Sequence, residues 1–329
     1  MLTNEEVIAQ SQSALRQWED KWRRYATENG EVYKKNGRSL KELSGSGFGR
    51  TCLCVASGPS LEKKIDDLKK YVNGDVDIIC VDKAFSDLCK HGIIPKIVVA
   101  EDANINYEKF LEPYLEQSKK STLVMNVCSN PKWAKHWKGK LYFHVNMDNI
   151  HTEKIFGPIS GCADTIPAAS NVGNTVVVIA ASVCRYERFL LLGYDYCWGM
   201  MDNYYAFNDN EKRYWMNHMS LIDKVGRMVH TSSNLWFSCR WLNDFFHAMG
   251  SKATIDIGGE GINGAMIGDL KKQLMESKPR QLTDKEKGEQ MFNRLREMII
   301  SKQDLQHALN TWAPTVNIDH FVIRYTEKS

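Results

Sequence analysis

The sequence predicts an α/β protein with a Rossmann-like, mostly parallel sheet and helices on both faces. Short apolar runs of strand length recur between residues 50 and 260. Segments with apolar residues at helical spacing separate most of these runs. Near-continuous apolar strands are typical of a sheet that is covered on both faces. A chain of 329 residues, 43% of them hydrophobic, is long enough for one large core with appendages.

The first 49 residues are expected to form a helical arm and a linker. Leu15, Trp18 and Trp22 place apolar groups near one face of the arm, among many charges. Residues 35–49 contain Gly, Ser and Lys without a clear period, which indicates a linker. Because the arm precedes the first strand, we expect it to pack on the outside of the domain or on a partner. A homo-oligomer could form through such arms.

Residues 50–270 are expected to form the main domain, in which strands and helices alternate. The predicted strands are 52–56, 76–81, 97–100, 123–127, 141–145, 189–192 and 253–257, and the predicted helices are 61–71, 84–90, 107–117, 176–184 and 235–249. Residues 197–229 break the alternation, are rich in aromatic residues and are too long for an ordinary loop. This break in the pattern predicts an inserted lid. A structural subdomain or an oligomer contact is the alternative interpretation. Residues 271–329 are expected to form a helical extension.

The turn after the first strand is the first candidate site. Ser57, Gly58 and Ser60 link an apolar strand to a helix, with Pro59 suited to the first helical turn. Glycine lets a ligand approach the backbone, and the exposed N–H groups of a helix start suit a phosphate. Gly173 and Asn174 open a strongly apolar helix and form a second candidate of this kind. An ordinary strand-to-helix connection is an equally good interpretation of the first turn by itself.

Acidic side chains follow several predicted strands. Asp82, Glu101 and Asp102 come at strand ends, where ligands bind in parallel sheets. Any one of them can be explained as a helix cap. Several acids facing one crevice are harder to explain in that way, and they favour a binding site.

Composition excludes some functional classes. A net charge of +3 is too small to indicate nucleic-acid binding, and no apolar run is long enough to span a membrane. The N-terminus lacks the apolar region of a signal peptide. The nine cysteines include no CxxC pair and no zinc spacing, which predicts a cytoplasmic protein without a structural metal.

Several segments in matching order resemble one group of enzymes. The heptapeptide at 55–61 resembles the Gly-x-Gly-Pro-Ser-Leu opening of the motility-accessory-factor and 6-hydroxymethylpterin diphosphokinase MptE-like family, which is related to the Campylobacter-type bacterial sialyltransferases. Residues 171–175 are similar to the Gly-Ser element that opens their central helix, and Asp195 lies in a segment similar to their Gly-x-Asp strand end. The segments at 205–207, 229–234 and 258–268 resemble further motifs of these groups.

The resemblance implies transfer from a nucleotide-activated donor. In the sialyltransferases a lid histidine is the general base, and tyrosines bind the departing phosphate. Carried over by position, His230 is the base and Tyr205 a phosphate ligand. Tyr196 lies one residue from the place of the second tyrosine, which Cys197 occupies. A surface histidine in a polar loop is the alternative for His230. Asp195 is expected among the nucleotide-binding residues.

Departures from the sialyltransferase pattern leave the donor open. Ser57 replaces an asparagine, and Asp82, Glu101 and Asp102 stand where that family has neutral amides. Carboxylates repel a phosphate unless a cation such as Mg²⁺ intervenes, and Glu101 and Asp102 are the candidate ligands.

The expected function is that of a nucleotide-dependent transferase with a small-molecule or glycan acceptor. The first candidate is a glycosyltransferase that uses a CMP-nonulosonate type of donor, which His230 and Tyr205 favour. The alternative is a diphosphokinase that moves pyrophosphate from ATP to a pterin-like alcohol, which the acids favour. A non-catalytic scaffold that retains the fold is a third hypothesis.

Overall fold

A computed structural model describes residues 4–199, 205–207, 218–249 and 253–298. Eleven strands lie in this part of the chain. They are β1 (Thr51–Val55), β2 (Val76–Val81), β3 (Ile97–Ala100), β4 (Thr122–Asn126), β5 (Leu141–Met147), β6 (Thr165–Pro167), β7 (Arg188–Leu192), β8 (His218–Ile222), β9 (Met228–Ser232), β10 (Ala253–Asp256) and β11 (Met266–Ile267).

Nine of these strands form one parallel sheet in the order β11-β10-β7-β1-β2-β3-β4-β5-β6. The chain builds the sheet outward from β1 as far as β6 and then returns to the other side of β1 with β7. The direction of winding therefore reverses between β1 and β7, where parallel sheets of this kind open a crevice for ligands. The remaining strands, β8 and β9, pair as an antiparallel hairpin. The predicted α/β, Rossmann-like fold class is confirmed.

The helices cover the sheet and extend beyond it. They are α1 (Asn4–Asn36), α2 (Pro59–Tyr71), α3 (Asp82–Lys90), α4 (Tyr107–Phe110), α5 (Leu115–Ser118), α6 (Pro131–His136), α7 (Glu153–Ser160), α8 (Val172–Val178), α9 (Ser233–Ala248), α10 (Leu270–Glu276) and α11 (Asp284–Met298). A π-helical turn at Ile179–Val183 continues α8. None of the helices described is both long and apolar enough to cross a membrane.

The core explains why the central strands read as apolar runs. Every residue of β1 and of β2 is buried, as both strands are covered by helices. Leu61, Ile65 and Leu68 of α2 and Phe85 and Leu88 of α3 complete the core at helical spacing. Burial of this apolar surface supplies the main driving force for the layered fold.

Some expected elements differ from the observed ones. The helix expected over 107–117 is broken into α4, a 3₁₀ turn (Glu112–Tyr114) and α5, because Pro113 cannot donate to the helical ladder. Residues 35–49, expected to be a linker, pack against the domain through the buried Leu40 and Leu43. The predicted lid is described at 197–199, 205–207 and 218–229 only, and residues 299–329 of the predicted C-terminal extension also lie outside the described residues.

The N-terminal helix α1 packs on the main domain, against α6 and α7. The Asn29 side chain is fully buried and donates to the carbonyls of Val127 and Ser129, at 2.8 Å each. A Cβ on Gly30 would lie only 2.7 Å from the Ser160 carbonyl oxygen, so the two backbones are in close contact. The arm is thus joined to the loop that follows β4.

We predict that Asn29→Ala destabilises the protein by about 1–3 kcal/mol, because it leaves the Val127 and Ser129 carbonyls buried without their donor. Thr27→Ala is the matched control, since that residue is exposed and its hydroxyl donates to the Arg23 carbonyl of the same helix. It should change the free energy of unfolding by no more than about 0.5 kcal/mol. Urea denaturation of both variants measures the difference, and equal losses would contradict this role of Asn29.

Candidate functional site

A cleft opens at the carboxyl ends of β1 and β7, where the winding of the sheet reverses. We call it the switch-point cleft. Its volume is about 790 Å³, including the solvent at its open side. It is lined by Ala56, Ser57, Gly58, Pro59, Val81, Asp82, Lys83, Asp102, Asn171, Val172, Gly173, Gly193, Tyr194, Tyr196, Cys197, Tyr205 and Leu235.

The cleft contains most of the predicted site residues but not all of them. Those that line it are Ser57, Gly58, Asp82, Asp102, Gly173, Tyr196 and Tyr205. Those that do not are Ser60, Glu101, Asn174, Asp195 and His230. The sequence therefore locates the cleft, while the structure divides the candidates into lining residues and residues that support them.

The turn between β1 and α2 is bound tightly to the end of β7. The Gly58 N–H donates to the Gly193 carbonyl at 2.9 Å, and the Ser60 N–H donates to Asp195 Oδ2 at 2.8 Å. A Cβ on Gly58 would lie 2.4 Å from Asp195 Oδ2 and 2.5 Å from the Gly193 oxygen. Packing against β7 therefore requires glycine at this position, a reason different from the ligand approach expected from the sequence.

Asp195 supports this turn without lining the cleft itself. Its carboxyl group is buried, and burial raises its pKa to about 7, although the hydrogen bonds from Ser60 act in the opposite direction. Ser60 Oγ in turn accepts from the Gly193 N–H at 3.1 Å. Asp195 and Ser60 thus hold the turn in place, and a nucleotide in the cleft would contact their neighbours.

The strand-end acids occupy two places. Asp82 begins α3, and its Oδ1 accepts from the Lys83 N–H at 2.8 Å. Its Oδ2 is buried without a hydrogen-bond partner among the described residues. Burial, followed by the charge of Asp102, raises the pKa of Asp82 to about 7. Glu101 lies outside the cleft, where its Oε2 accepts from the Thr175 hydroxyl at 2.6 Å.

The start of α8 forms the opposite wall. Asn171 caps the helix by accepting from the Asn174 N–H at 2.8 Å, and Gly173 lines the cleft. Asn174 is fully buried, and its side chain donates to the Ser238 carbonyl of α9 at 2.9 Å. Asn174 therefore links α8 to α9, and its side chain is not part of the cleft wall.

The two predicted phosphate-binding tyrosines differ in their surroundings. The Tyr196 hydroxyl donates to Asn174 Oδ1 at 2.5 Å, and its backbone has a φ of +54°, an unusual value for a residue other than glycine. Tyr205 faces the Lys83 ammonium group, which lies 3.8 Å from the centroid of its ring. Tyr205 thus reaches the cleft together with a cation, while the Tyr196 hydroxyl is engaged with Asn174.

Lys83 is a site residue that the sequence interpretation missed. It follows Asp82 at the start of α3 and lines the cleft. It also lines a neighbouring cavity, which we call the lysine pocket, together with Lys90 and Lys109. A lysine directly after a strand-end acid was the signal available in the sequence.

His230 lies on β9 and is not among the residues that line the cleft. Its backbone pairs with Trp198 through two hydrogen bonds of 2.8 and 2.9 Å. Its Nδ1 lies 3.2 Å from the Ser220 hydroxyl oxygen on β8. The structure therefore places His230 on the hairpin next to the cleft, and its assignment as general base stays a prediction.

A metal ion would need ligands from a bound nucleotide as well as from the protein. Among the described residues, no group of three or more His, Cys, Asp or Glu side chains is placed to hold one. Mg²⁺ commonly binds through one or two carboxylates together with substrate phosphates. Asp82 and Asp102 fit this pattern, because both line the cleft and Asp82 Oδ2 is without a partner among the described residues.

A comparison with known protein families identifies the family to which the chain belongs. The model of the 6-hydroxymethylpterin diphosphokinase MptE-like family matches residues 24–200, more than half of the chain. The chain belongs to this family. The MptE-like match contains the turn after β1, the strand-end acids and the start of α8, and it ends before Tyr205 and His230. At the level of the family, the match supports a transferase activity.

A solved structure shares the fold. It is the MAf glycosyltransferase from Magnetospirillum magneticum AMB-1, with a TM-score of 0.59 and 16% sequence identity. The match covers 83% of the present chain and 41% of that protein, so the chain spans about two fifths of its length. Among curated proteins, no sequence matches the chain. The structural likeness shows a common fold for this MptE-like protein.

We predict that Asp195 makes the stability of the protein depend on pH. The folded state holds this carboxyl proton up to a pH of about 7, whereas the unfolded chain releases it near its ordinary pKa of 3.8. The free energy of unfolding should therefore fall as the pH rises from about 4 to 7, by up to about 1.4 kcal/mol per pH unit.

Asp195→Asn should remove the part of this fall that Asp195 causes, since an amide does not titrate and can still accept from the Ser60 N–H, whereas the part caused by the buried Asp82 remains. Asp66→Asn is the control, with the same change of charge on the exposed face of α2. Urea denaturation at several pH values measures the difference between wild type and each variant. A difference that stays constant between pH 4 and 7 for Asp195→Asn would show that Asp195 is ionised in the folded protein throughout.

Proposed function

We propose that this MptE-like protein is a nucleotide-dependent transferase that moves a diphosphate group from ATP to an alcohol. The nucleotide would bind in the switch-point cleft, with its phosphates against the turn between β1 and α2. The alcohol oxygen would bond to the β-phosphorus of ATP while the bond from that phosphorus to the α–β bridging oxygen breaks. The products are then AMP, the diphosphorylated alcohol and the proton of the hydroxyl group.

One observation carries the proposal. The cleft holds two buried polar atoms without a hydrogen-bond partner among the described residues, Ser57 Oγ and Asp82 Oδ2, and the Lys83 side chain lines it as well. Unpaired buried polar atoms are costly unless a ligand or water satisfies them. A hydroxyl and an ammonium group suit phosphate oxygens. The unpaired carboxylate oxygen suits a cation that accompanies the phosphates.

Mg²⁺ would be held by Asp82 and Asp102 in this arrangement. When bound, it would neutralise phosphate charge and so allow two carboxylates to lie beside a polyphosphate. Lys83 would contribute a second positive charge beside the phosphates, in addition to that of Mg²⁺. The sequence predicts Glu101 and Asp102 as the metal ligands. In the structure Asp82 lines the cleft together with Asp102, and Glu101 does not.

The lysine pocket favours a donor with more than one phosphate. Ser57, Lys83 and Tyr205 line both this pocket and the cleft, so the two spaces adjoin. Lys90 and Lys109 add two further cations beyond Lys83, partly offset by Asp87. A chain of phosphates that extends from the cleft into this pocket would meet positive charge along its length.

Transfer of a sugar from a nucleotide-activated donor is the second candidate. Tyr205 favours it, because this tyrosine was expected to bind the leaving phosphate and does line the cleft. The fold shared with the MAf glycosyltransferase agrees with it. His230 would then have to reach the acceptor from the hairpin on which it lies. We rank this candidate second because the cleft places acids and a lysine, and not His230, around the turn.

We predict that Lys83→Met weakens binding of ATP with Mg²⁺ by about tenfold or more, since a hydrogen bond to a charged group contributes about 1.5–3 kcal/mol. The effect should be smaller for AMP, which lacks the outer phosphates. Lys69→Met removes the same charge from the exposed face of α2 and is the matched control. Isothermal titration calorimetry with ATP, AMP and CMP, with and without Mg²⁺, measures these affinities.

The same preparation tests the reaction itself. Wild-type protein with ATP, Mg²⁺ and 6-hydroxymethylpterin should release AMP, and Lys83→Met should release it more slowly. Tighter binding of CMP than of ATP, without an effect of Mg²⁺, would reject the diphosphokinase reaction and favour the second candidate. Failure of every nucleotide to bind would reject both.

A further inference from the structure

A second cavity adjoins the switch-point cleft at the carboxyl ends of β3, β4 and β5. We call it the second compartment. Its volume is about 1250 Å³, including solvent at its open side. Asp102, Asn171 and Val172 line both the compartment and the cleft. A molecule in the compartment would therefore lie directly beside a nucleotide in the cleft.

The N-terminal arm forms one wall of this compartment. Ser11, Ala14 and Trp22 of α1 line it. The arm is fixed on both sides of these residues. Glu6 lies 3.6 Å from an Arg240 guanidinium nitrogen of α9, and further along the arm Lys21 donates to Asn104 and the buried Asn29 binds the loop after β4.

The walls of the compartment offer both an apolar surface and hydrogen-bond acceptors. Trp22 and Phe156 meet edge to face, with ring centroids 6.0 Å apart and an interplanar angle of 87°. Glu101 Oε1 and Asn146 Oδ1 are buried without a hydrogen-bond partner of good geometry among the described residues, although the Asn146 side chain acts to lower the pKa of Glu101 and His144 Nε2 lies 4.0 Å from Oε1. A ligand with a flat or apolar face and O–H or N–H donors on its edge would satisfy both kinds of surface.

The charge of the compartment excludes anions. Glu101, Asp102 and Asp148 line it, and no lysine or arginine does so within the described part of the chain. Apart from the Mg²⁺ proposed at Asp102, on the border with the cleft, an anionic ligand would meet Glu101 and Asp148 without a counter-charge from a lysine or arginine of the described residues. Asp148 accepts hydrogen bonds from the Thr152 hydroxyl at 2.9 Å and from the N–H groups of Ile150 and Thr152 at 3.1 Å each. These neighbouring donors stabilise its negative charge, so it does not need a cationic ligand. The compartment therefore suits an uncharged molecule.

We propose that the second compartment binds the acceptor, an uncharged alcohol with one flat or apolar face, and that the N-terminal arm is the wall that selects it. The identification of the bound molecule as the acceptor rests on the proposed function. The chemical class of that molecule is inferred from the residues that line the compartment. The arm is then part of the binding site, in contrast to the outer appendage or partner contact expected from the sequence.

The test uses the full chain and three probes in isothermal titration calorimetry. Two probes are uncharged alcohols of different chemical classes, the pterin 6-hydroxymethylpterin and the sugar N-acetylglucosamine. The third is the anionic sugar N-acetylneuraminate. At least one uncharged probe should bind to wild type, and more tightly than the anionic one. Binding of the pterin alone or of the sugar alone identifies the source, and either result supports the proposal.

Two arm variants form a matched pair. Ala14→Trp adds a large side chain to the wall of the compartment, and Gln12→Trp adds the same side chain at an exposed position two residues away. Ala14→Trp should weaken binding of the uncharged probe at least tenfold, while Gln12→Trp leaves it within about twofold. Trp22→Leu should also weaken it and gives a second variant if Ala14→Trp fails to fold. ATP affinity should stay within about twofold in every folded variant.

Three results would overturn the proposal. They are an unchanged affinity for the probe in both Ala14→Trp and Trp22→Leu, tighter binding of the anionic probe, and no binding of any probe at millimolar concentration. If the uncharged probe binds and responds to the arm variants while no nucleotide binds, the proposed function fails and the compartment stands as a binding site. If ATP binds and the probes do not, the proposed acceptor site fails alone.

Discussion

The close packing of two strand ends determines the shape of the site. The turn after β1 contacts the end of β7 so tightly that the Gly58 N–H reaches the Gly193 carbonyl and the Ser60 N–H reaches Asp195. A side chain on Gly58 would collide with both partners. The contact fixes the start of α2 at the point where the winding of the sheet reverses. The cleft, its acids and Lys83 are arranged around that fixed point.

In the proposed reaction, the arrangement would divide the site between a donor and an acceptor region. The switch-point cleft has polar atoms that lack a partner in the described part of the chain, a cation and the adjoining lysine pocket, which suit a polyphosphate. The second compartment has carboxylates, an amide and two aromatic rings, which suit an uncharged alcohol. Asp102 lies at the border of the two. A transferase needs its two substrates side by side with different electrostatic surroundings, and this division supplies them.

The sequence predicts the frame of the site better than its details. Apolar strands with polar ends locate Ser57, Asp82 and Asp102 at one edge of the sheet, because parallel strands all end on the same side. It does not show that Gly58 is required by β7 or that Asp195 accepts a hydrogen bond from the turn, since both depend on contacts between residues more than 130 positions apart. The position of the N-terminal arm also depends on contacts with residues that are distant in the sequence, such as those of Asn29 and Trp22. An amphipathic pattern shows that Trp22 faces something apolar, but not that the surface belongs to a cavity.

Hydrogen–deuterium exchange of the full chain with ATP and Mg²⁺ tests the central claim most directly. The claim is that the phosphates bind at the contact between β1 and β7. Saturating ATP should slow exchange in peptides that cover residues 56–62 and the start of α3, with a smaller effect for AMP. The glycine-rich loop at 258–264 lies outside the residues that line the cleft and should change less. Protection confined to that loop, or no protection at saturating ATP, would contradict the account.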